Sequence, residues 1–355
     1  MDAHIEAYAG KTVFITGGAG AIGSNLTRAL SPICKRVFVL DNLCASARWN
    51  VPSLPNVMFV EGDILDEVKL KRIFFEKPDI VFHLAAFFAN QNSVDHPEND
   101  LMVNGMGTLK LMEYAVMTGL ERFVYASSGC SIYGHAAPLP LKEEFMSMHL
   151  TTPYQITKML GELYGNFFHH HYGLPVVKAR FFNSYGPGEI PGQYRNVIPN
   201  FIYWAMKGLP LPLTGTGEET RDFTYVDDIV DGLLRLGTND NAIGEEYNLA
   251  SGRETTIKDL ADMVNEATGN TAGIKWAEVR KWDTKKRLRA SVDKARDGVG
   301  YDPDTDFKWG MYQTIEWMKA HWDEIEAYNG FGPGASSAVR DMTVNDESSN
   351  EKQVS

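Results

Sequence analysis

Lys11-Thr-Val-Phe-Ile-Thr-Gly17-Gly-Ala-Gly20-Ala-Ile-Gly23 is the stretch that decides how this chain folds. Lys11 to Thr16 is a short β-branched and aromatic run, the pattern of a strand buried in a parallel sheet. Ser24 to Leu30 then has helical patterning. Between them, glycines at 17, 20 and 23 give the spacing G-x-x-G-x-x-G. A dinucleotide-binding fold needs a tight turn, a close backbone approach to pyrophosphate and close helix–strand packing at those three places. Ala21 and Ile22 lie inside the same turn and join the candidate cofactor cradle. A strand before and a helix after set this apart from an isolated glycine pattern.

Working outward, a second strand, Arg36 to Leu40, ends at Asp41, eighteen residues beyond Gly23. An acid at that distance meets the adenosine ribose hydroxyls of a dinucleotide. Asp41 followed by Asn42 would repel a 2′-phosphate, so the cofactor expected is NAD rather than NADP. The alternative reading of Asp41 is a turn residue after a strand. Further strands are expected at Val57–Val60, Ile80–Leu84, Phe123–Ala126 and Val176–Arg180. Helices are expected at Leu65–Glu76, Leu101–Thr118 and Tyr154–Tyr172. Strand–helix alternation of this kind predicts an α/β fold, a doubly wound parallel Rossmann sheet.

From about residue 184 the alternation breaks, with Gly and Pro clustered at 186–192 and 208–217. Helices are expected there at Asn196–Lys207, Val226–Leu236 and Ile257–Thr268. The domain reading is therefore a Rossmann domain over 1–183, with parts of 220–250 returning to it, and a smaller C-terminal substrate-binding lobe over 184–330. Residues 331–355 are polar and poor in apolar side chains, which predicts a disordered tail.

Tyr154 and Lys158 stand four residues apart, and Ser127-Ser128 lies upstream. At i and i+4 on a helix the phenol and the ammonium share one face. A phenol is a poor base at neutral pH unless its anion is stabilised, and a cation one helical turn away does that. Beside a nicotinamide, the pair reads as a tyrosinate base for a sugar or alcohol hydroxyl.

The 355 residues are 44% hydrophobic and 23% charged, ordinary for a globular protein. A net charge of −12 argues against nucleic-acid or anionic-membrane partners. Three scattered cysteines, Cys34, Cys44 and Cys130, fit a reducing compartment rather than a disulfide framework. No apolar stretch approaches membrane-spanning length, and Met1-Asp-Ala-His-Ile-Glu6 lacks a basic and an apolar segment, so a cytoplasmic location is expected. His169-His170-His171 points in different directions around a helix, and no metal site is expected from it.

Taken together, these motifs resemble the extended short-chain dehydrogenase/reductase family, specifically its NAD-dependent nucleotide-sugar epimerases and dehydratases of the UDP-glucose 4-epimerase-like kind. The resemblance runs from about residue 11 to 325. Asp63-Ile64 stands where the family contacts adenine, His83-Leu84-Ala85-Ala86 where it lines the cofactor, and Asn104-Gly105-Met106-Gly107-Thr108 matches its N-x-x-G-T helix. Phe182-Asn183-Ser184-Tyr185-Gly186-Pro187 and Arg221-Asp222-Phe223-Thr224-Tyr225-Val226-Asp227-Asp228 belong to the substrate lobe.

The resemblance implies that Ser128 and Tyr154 hydrogen-bond the sugar hydroxyl being oxidised. Lys158 then holds the nicotinamide ribose and lowers the Tyr154 pKa. Asn183 would meet the sugar diphosphate, and Asn196, at a helix start, suits a phosphate oxygen. Arg221 offers a bidentate fork to the pyrophosphate. Arg280 and Asp283 resemble the family's R-x-x-D, which reaches phosphate and nucleoside ribose. Asp227-Asp228 is expected to begin a helix rather than hold a metal. A homodimer built on the Leu101–Thr118 and Tyr154–Tyr172 helices is also implied.

The resemblance also sorts the chemistry. The family's dehydratases carry Asp-Glu directly after the active-site Thr or Ser, and its decarboxylases carry Glu. This chain has Gly129 and Cys130, so elimination and decarboxylation are disfavoured. Cys130 resembles the thiol acid/base of GDP-mannose 3,5-epimerases, but the position matching their lysine is Asn196. The reading is inversion at C4 through a transient 4-keto sugar. The alternatives are a 3,5-epimerase using Cys130, a decarboxylase or dehydratase, and a non-catalytic NAD-binding protein.

Overall fold

The computed structural model describes residues 3–279 and 285–328. Arg280, Asp283 and the expected tail over 331–355 lie outside the described residues. Seven parallel strands form the central sheet: β1 (Thr12–Thr16), β2 (Arg36–Asp41), β3 (Val57–Glu61), β4 (Ile80–His83), β5 (Arg122–Ser128), β6 (Val176–Phe181) and β7 (Glu246–Leu249). Their order across the sheet is β7-β6-β5-β4-β1-β2-β3. Val13, Phe14, Ile15, Val37, Val39, Val81, Phe82, Phe123 and Val124 are all fully buried, because helices cover both faces of a parallel sheet.

The strand order reverses between β1 and β4, which pair in register with Thr16 opposite His83. A crevice opens at the carboxyl ends of the strands at such a point, and ligands bind there. The strands expected from the sequence are present, several extended by a residue or two. The Leu101–Thr118 helix departs from the expected regular form. It begins as a wide π-turn over Leu101–Gly107 and becomes α-helical at Thr108–Thr118. Glycines at 105 and 107 sit in that turn, and a β-carbon at Gly107 would stand 2.5 Å from Ile64 Cδ1.

Beyond β6 the chain alternates between sheet and second lobe. Asn183–Tyr185 pairs with Phe223–Tyr225, the helix Val226–Thr238 packs back on the sheet, and β7 joins its edge beside β6. The second lobe has its own core, in which Ile202, Tyr203, Leu211, Leu213, Leu260, Val264 and Met318 are buried. Asp227 and Asp228 lie in the first turn of Val226–Thr238, and Thr305 donates to Asp228 across 2.9 Å. His169, His170 and His171 form the last turn of Pro153–Tyr172, closed by left-handed Gly173.

Candidate active site

One continuous cavity of about 490 Å³ runs from the glycine turn, past the ends of β4 and β5, into the second lobe. At its first end, Gly17 has φ +69°, and a β-carbon there would stand 2.7 Å from Ala85 N. At Gly23 a β-carbon would fall 2.4 Å from the Gly17 carbonyl oxygen. At Gly20 it would meet only that oxygen, at 3.3 Å, so this backbone is open to a phosphate. Gly20 precedes the helix Ala21–Leu30 without side-chain capping, so its first N–H groups face the cavity as anion donors. The cradle fits a dinucleotide pyrophosphate.

Asp41 lines the cavity and already organises the turn around it. Its Oδ2 accepts from Ala19 N at 2.9 Å, and its Oδ1 accepts from Leu43 N at 2.9 Å and Ser46 Oγ at 2.8 Å. A carboxylate has lone pairs to spare for a ribose hydroxyl. Asn42 donates to Asp63 Oδ2 at 2.7 Å, and Ile64, Leu84, Ala85 and Ala86 continue the wall, as do Ala21 and Ile22. Asn50 went unnoticed in the sequence, yet it donates to both Ala19 O (3.0 Å) and Gly188 O (2.9 Å), sewing the glycine turn to the second lobe.

Asn104 is buried behind the loop that follows β4. Its amide is committed to the Phe87 backbone, accepting from Phe87 N at 2.8 Å and donating to Phe87 O at 3.2 Å. It also donates to Asp100 Oδ1 at 2.8 Å, while Thr157 donates to Asp100 Oδ2 at 2.7 Å. Asn104 thus holds the loop after β4 in place from behind. His83 is similar: buried between Thr16 and Thr108, each 2.8 Å away, it is held neutral with its pKa lowered to about 3 by burial and then by Lys158.

Ser128 ends β5, and Tyr154 and Lys158 project from the Pro153–Tyr172 helix, all three on the cavity wall. Thr152 caps that helix by accepting from Gln155 N, and Pro153 occupies its first turn. A buried network fixes the helix against β5 and β6. Arg180 makes a fork to Glu162 at 3.0 and 2.8 Å, and Ser127 donates to the same carboxylate at 2.5 Å. Ser128 Oγ lies 2.9 Å from Ser131 Oγ.

Burial dominates the charge balance around Tyr154 and Lys158. Burial raises the Tyr154 phenol, Asp100 and Cys130 raise it further, and hydrogen bonding by Ser128 opposes them. Lys158 stands one helical turn away on the same helix. Its ammonium donates to Ala126 O at 2.9 Å and stands 5.7 Å from the centre of the Tyr154 ring. Burial also brings Lys158 down to about 8, with Asp100 working the other way.

Farther along, Asn183 Oδ1 accepts from the Cys130 thiol at 3.1 Å. Burial raises that thiol to about 11, opposed by Lys285 and Arg221, so it is protonated at neutral pH. Asn196 stands immediately before the helix Val197–Met206 and donates to Glu189 Oε1 at 2.8 Å. Glu189 is buried in the wall and raised to about 7 by desolvation, against Arg195 and Asn196. The sequence shows it only as an acid in a Gly/Pro-rich loop, which reads as solvent-exposed. Arg221 lies on the wall and donates to Thr220 O at 2.9 Å and Lys285 O at 3.2 Å. Lys285 is a second wall residue that the sequence did not single out. Among the described residues, no group of three or more His, Cys, Asp or Glu side chains could hold a metal ion.

Residues 13–250 match the model of the NAD dependent epimerase/dehydratase family. The chain is 32% identical to a UDP-glucose 4-epimerase of Mycolicibacterium smegmatis over 86% of its own length and 97% of the relative's. An epimerase of Methanothermobacter thermautotrophicus, Mth375, is 54% identical and superposes with a TM-score of 0.91, covering 92% of this chain and 98% of that one. The Bordetella bronchiseptica enzyme WbmF, solved with NAD⁺ and UDP, is 39% identical with a TM-score of 0.80, covering 91% and 96%.

Proposed function

The chain belongs to the NAD-dependent epimerase/dehydratase family, and from that premise we propose that it is a nucleotide-sugar 4-epimerase with Tyr154 as its base. NAD, when bound in the glycine cradle, supplies the hydride acceptor and donor, and its positive ring favours the tyrosinate. Tyr154 takes the proton of the C4 hydroxyl and returns it after the sugar has turned, with Ser128 holding the same oxygen. Lys158 orients the cofactor ribose. Asn183, the helix start at Asn196 and Arg221 grip the diphosphate, so the keto sugar can turn without leaving.

The observation that carries this reading is the ring of Phe182 against Gly129. A β-carbon at 129 would stand 2.1 Å from Phe182 Cε2, so the position after Ser128 has no room for the carboxylate that elimination requires. Cys130, protonated and bonded to Asn183, is a poor partner for 3,5-epimerisation. Retention of both Tyr154 and Lys158 favours an enzyme over a non-catalytic NAD binder.

Relatives that bind UDP point to a UDP-sugar. The test incubates purified protein with UDP-, dTDP-, CDP- and GDP-sugars and separates the products by chromatography. Interconversion at C4 without accumulating NADH is expected. Net NADH release with no epimer would replace the reading with a dehydrogenase.

A cytoplasmic homodimer completes the proposal. No described helix is long and apolar enough to cross a membrane, and Cys34, Cys44 and Cys130 form no disulfide. Leu101, Met102 and Met106 of the π-turn and Ile156, Leu163 and Phe167 of Pro153–Tyr172 are exposed on two segments packed side by side. Such an apolar face suits an isologous contact with a second copy.

A further inference from the structure

The segment that follows β2 is tied down in three directions. Asp41, Asn42, Cys44, Ala45 and Ser46 line the cavity, and beyond them Arg48–Asn50 forms one tight helical turn. Arg48 lays its guanidinium 4.5 Å from the centre of the Phe59 ring on β3. Asn50 reaches Ala19 O in the glycine turn and Gly188 O in the second lobe, and its own carbonyl accepts from Arg28 at 2.6 Å. Trp49, between them, packs on the core of the second lobe.

There its ring meets two others. The centroids of Trp49 and Trp317 are 6.0 Å apart with planes 25° from parallel, and those of Trp49 and His321 are 5.4 Å apart at 14°. Trp317 and His321 stack on each other at 5.0 Å, and His321 Nδ1 lies 2.9 Å from the Trp317 carbonyl oxygen. Trp317 belongs to the helix Phe307–Ala320, and His321 follows it directly. Ile22 of the glycine turn packs on the same second-lobe core. Both pieces of chain suited to the adenosine half of a dinucleotide, 17–23 and 41–50, are thus held from the second lobe.

We propose that Trp49, clasped by Trp317 and His321, is a positioning residue that holds the Asp41 segment closed and slows the departure of bound NAD. The proposal rests on NAD lying against Asp41. Trp49, Trp317 and His321 stand outside the cavity wall, so they act through the backbone of 42–50. Asp41 holds Leu43 N and Ser46 Oγ, and Trp49 follows three residues later. An outward swing of this segment that frees the adenosine must therefore part Trp49 from Trp317 and His321. Near-parallel rings at these spacings attract beyond the apolar area they cover, and that attraction is lost when the segment opens. The second lobe in this way also sets how long the cofactor stays.

A stopped-flow chase of the NADH-loaded full chain with excess NAD⁺ reads the release rate from the loss of bound-NADH fluorescence and needs no turnover. Trp49→Ala and Trp317→Ala are expected to release NADH about ten-fold faster than wild type, the order of one aromatic stack lost with its apolar contact. Trp49→Phe should stay close to wild type. The double variant should be no faster than the faster single one, because both break the same contact. Trp309→Ala removes a half-exposed tryptophan of the same helix that packs on Tyr225 instead, and should release at the wild-type rate. Wild-type release in Trp49→Ala overturns the clasp, and so does equal acceleration by Trp309→Ala, which marks general loosening. Effects that multiply in the double variant overturn the pairing of Trp49 with Trp317. Where Trp49→Ala does not fold by circular dichroism, Trp49→Leu gives the same readout. Asp41→Ala separates the two layers of the argument. Unchanged NADH affinity there removes NAD from Asp41 and the clasp with it. Weakened affinity there, with wild-type release in Trp49→Ala, overturns the clasp alone.

Discussion

Gly129 lies against the ring of Phe182 so closely that a β-carbon on it would come within 2.1 Å of Cε2 and 2.6 Å of Cζ. Both residues line the end of β5 and β6, and Gly129 is buried. Installing the acid of a dehydratase at this position therefore collides with the core rather than adding a function. Gly129→Asp should lose about 1–3 kcal/mol or more through overpacking, with a further penalty for the buried carboxyl. Denaturant unfolding reads the loss, and product analysis should show no dehydrated sugar.

Replacing Tyr154 by Phe removes the proposed proton carrier and keeps the ring. Turnover should fall by roughly 10²–10⁴, the usual worth of a positioned general base. NAD content measured after denaturing release should match wild type. Equal turnover in the variant would remove Tyr154 from the chemistry.

Asp100 is a buried carboxyl tied to Asn104 and Thr157, and it raises the Tyr154 phenol. Asp100→Asn keeps hydrogen-bonding atoms and removes the charge. The rising limb of kcat/KM against pH should move to lower pH, because the tyrosinate no longer forms beside a carboxylate. A limb that stays in place, with only KM altered, would assign Asp100 to packing alone.

Glu189 gives stability a pH dependence of known sign. Its carboxyl is raised from 4.5 to about 7 in the folded protein. Between those values the folded state keeps a proton that the unfolded chain has released, so stability falls as pH rises from about 4.5 and levels off above about 7. The shift corresponds to roughly 3 kcal/mol, at 1.36 kcal/mol per unit. Glu189→Gln should flatten this decline and be more stable than wild type at pH 8, with little difference near pH 4.5. Urea unfolding at the two pH values measures it.

The exposed apolar face of the two long helical segments predicts self-association. Leu163 is half exposed at its centre. Leu163→Glu places a charge in the proposed contact and should halve the mass seen by light scattering, with the fold retained by circular dichroism. A wild-type chain that runs as a monomer would sink the dimer.

The glycine turn, Asp41 and the Tyr154–Lys158 spacing were legible because each is a local pattern with a local cause. A strand feeding a helix through three glycines has one geometry, and i, i+4 residues share a helix face wherever the helix sits. The Asn104 motif gives its position on a helix but not the direction of its amide, which the π-turn and Asp100 decide. Glu189 and Lys285 were missed because an acid or a lysine in a loop carries no sign of burial until the chain has closed over it.

By itself, then, the sequence determined the doubly wound sheet, the cofactor cradle and the candidate base. Periodicity, left-handed glycine and helix spacing act over a few residues and need no tertiary partner. Only the tertiary structure decided the protonation tendencies of Tyr154 and Lys158, the steric exclusion at Gly129 and the cation beside Cys130. Those depend on desolvation and on contacts between residues far apart in the chain, such as Cys130 and Lys285, which nothing in their own neighbourhoods records.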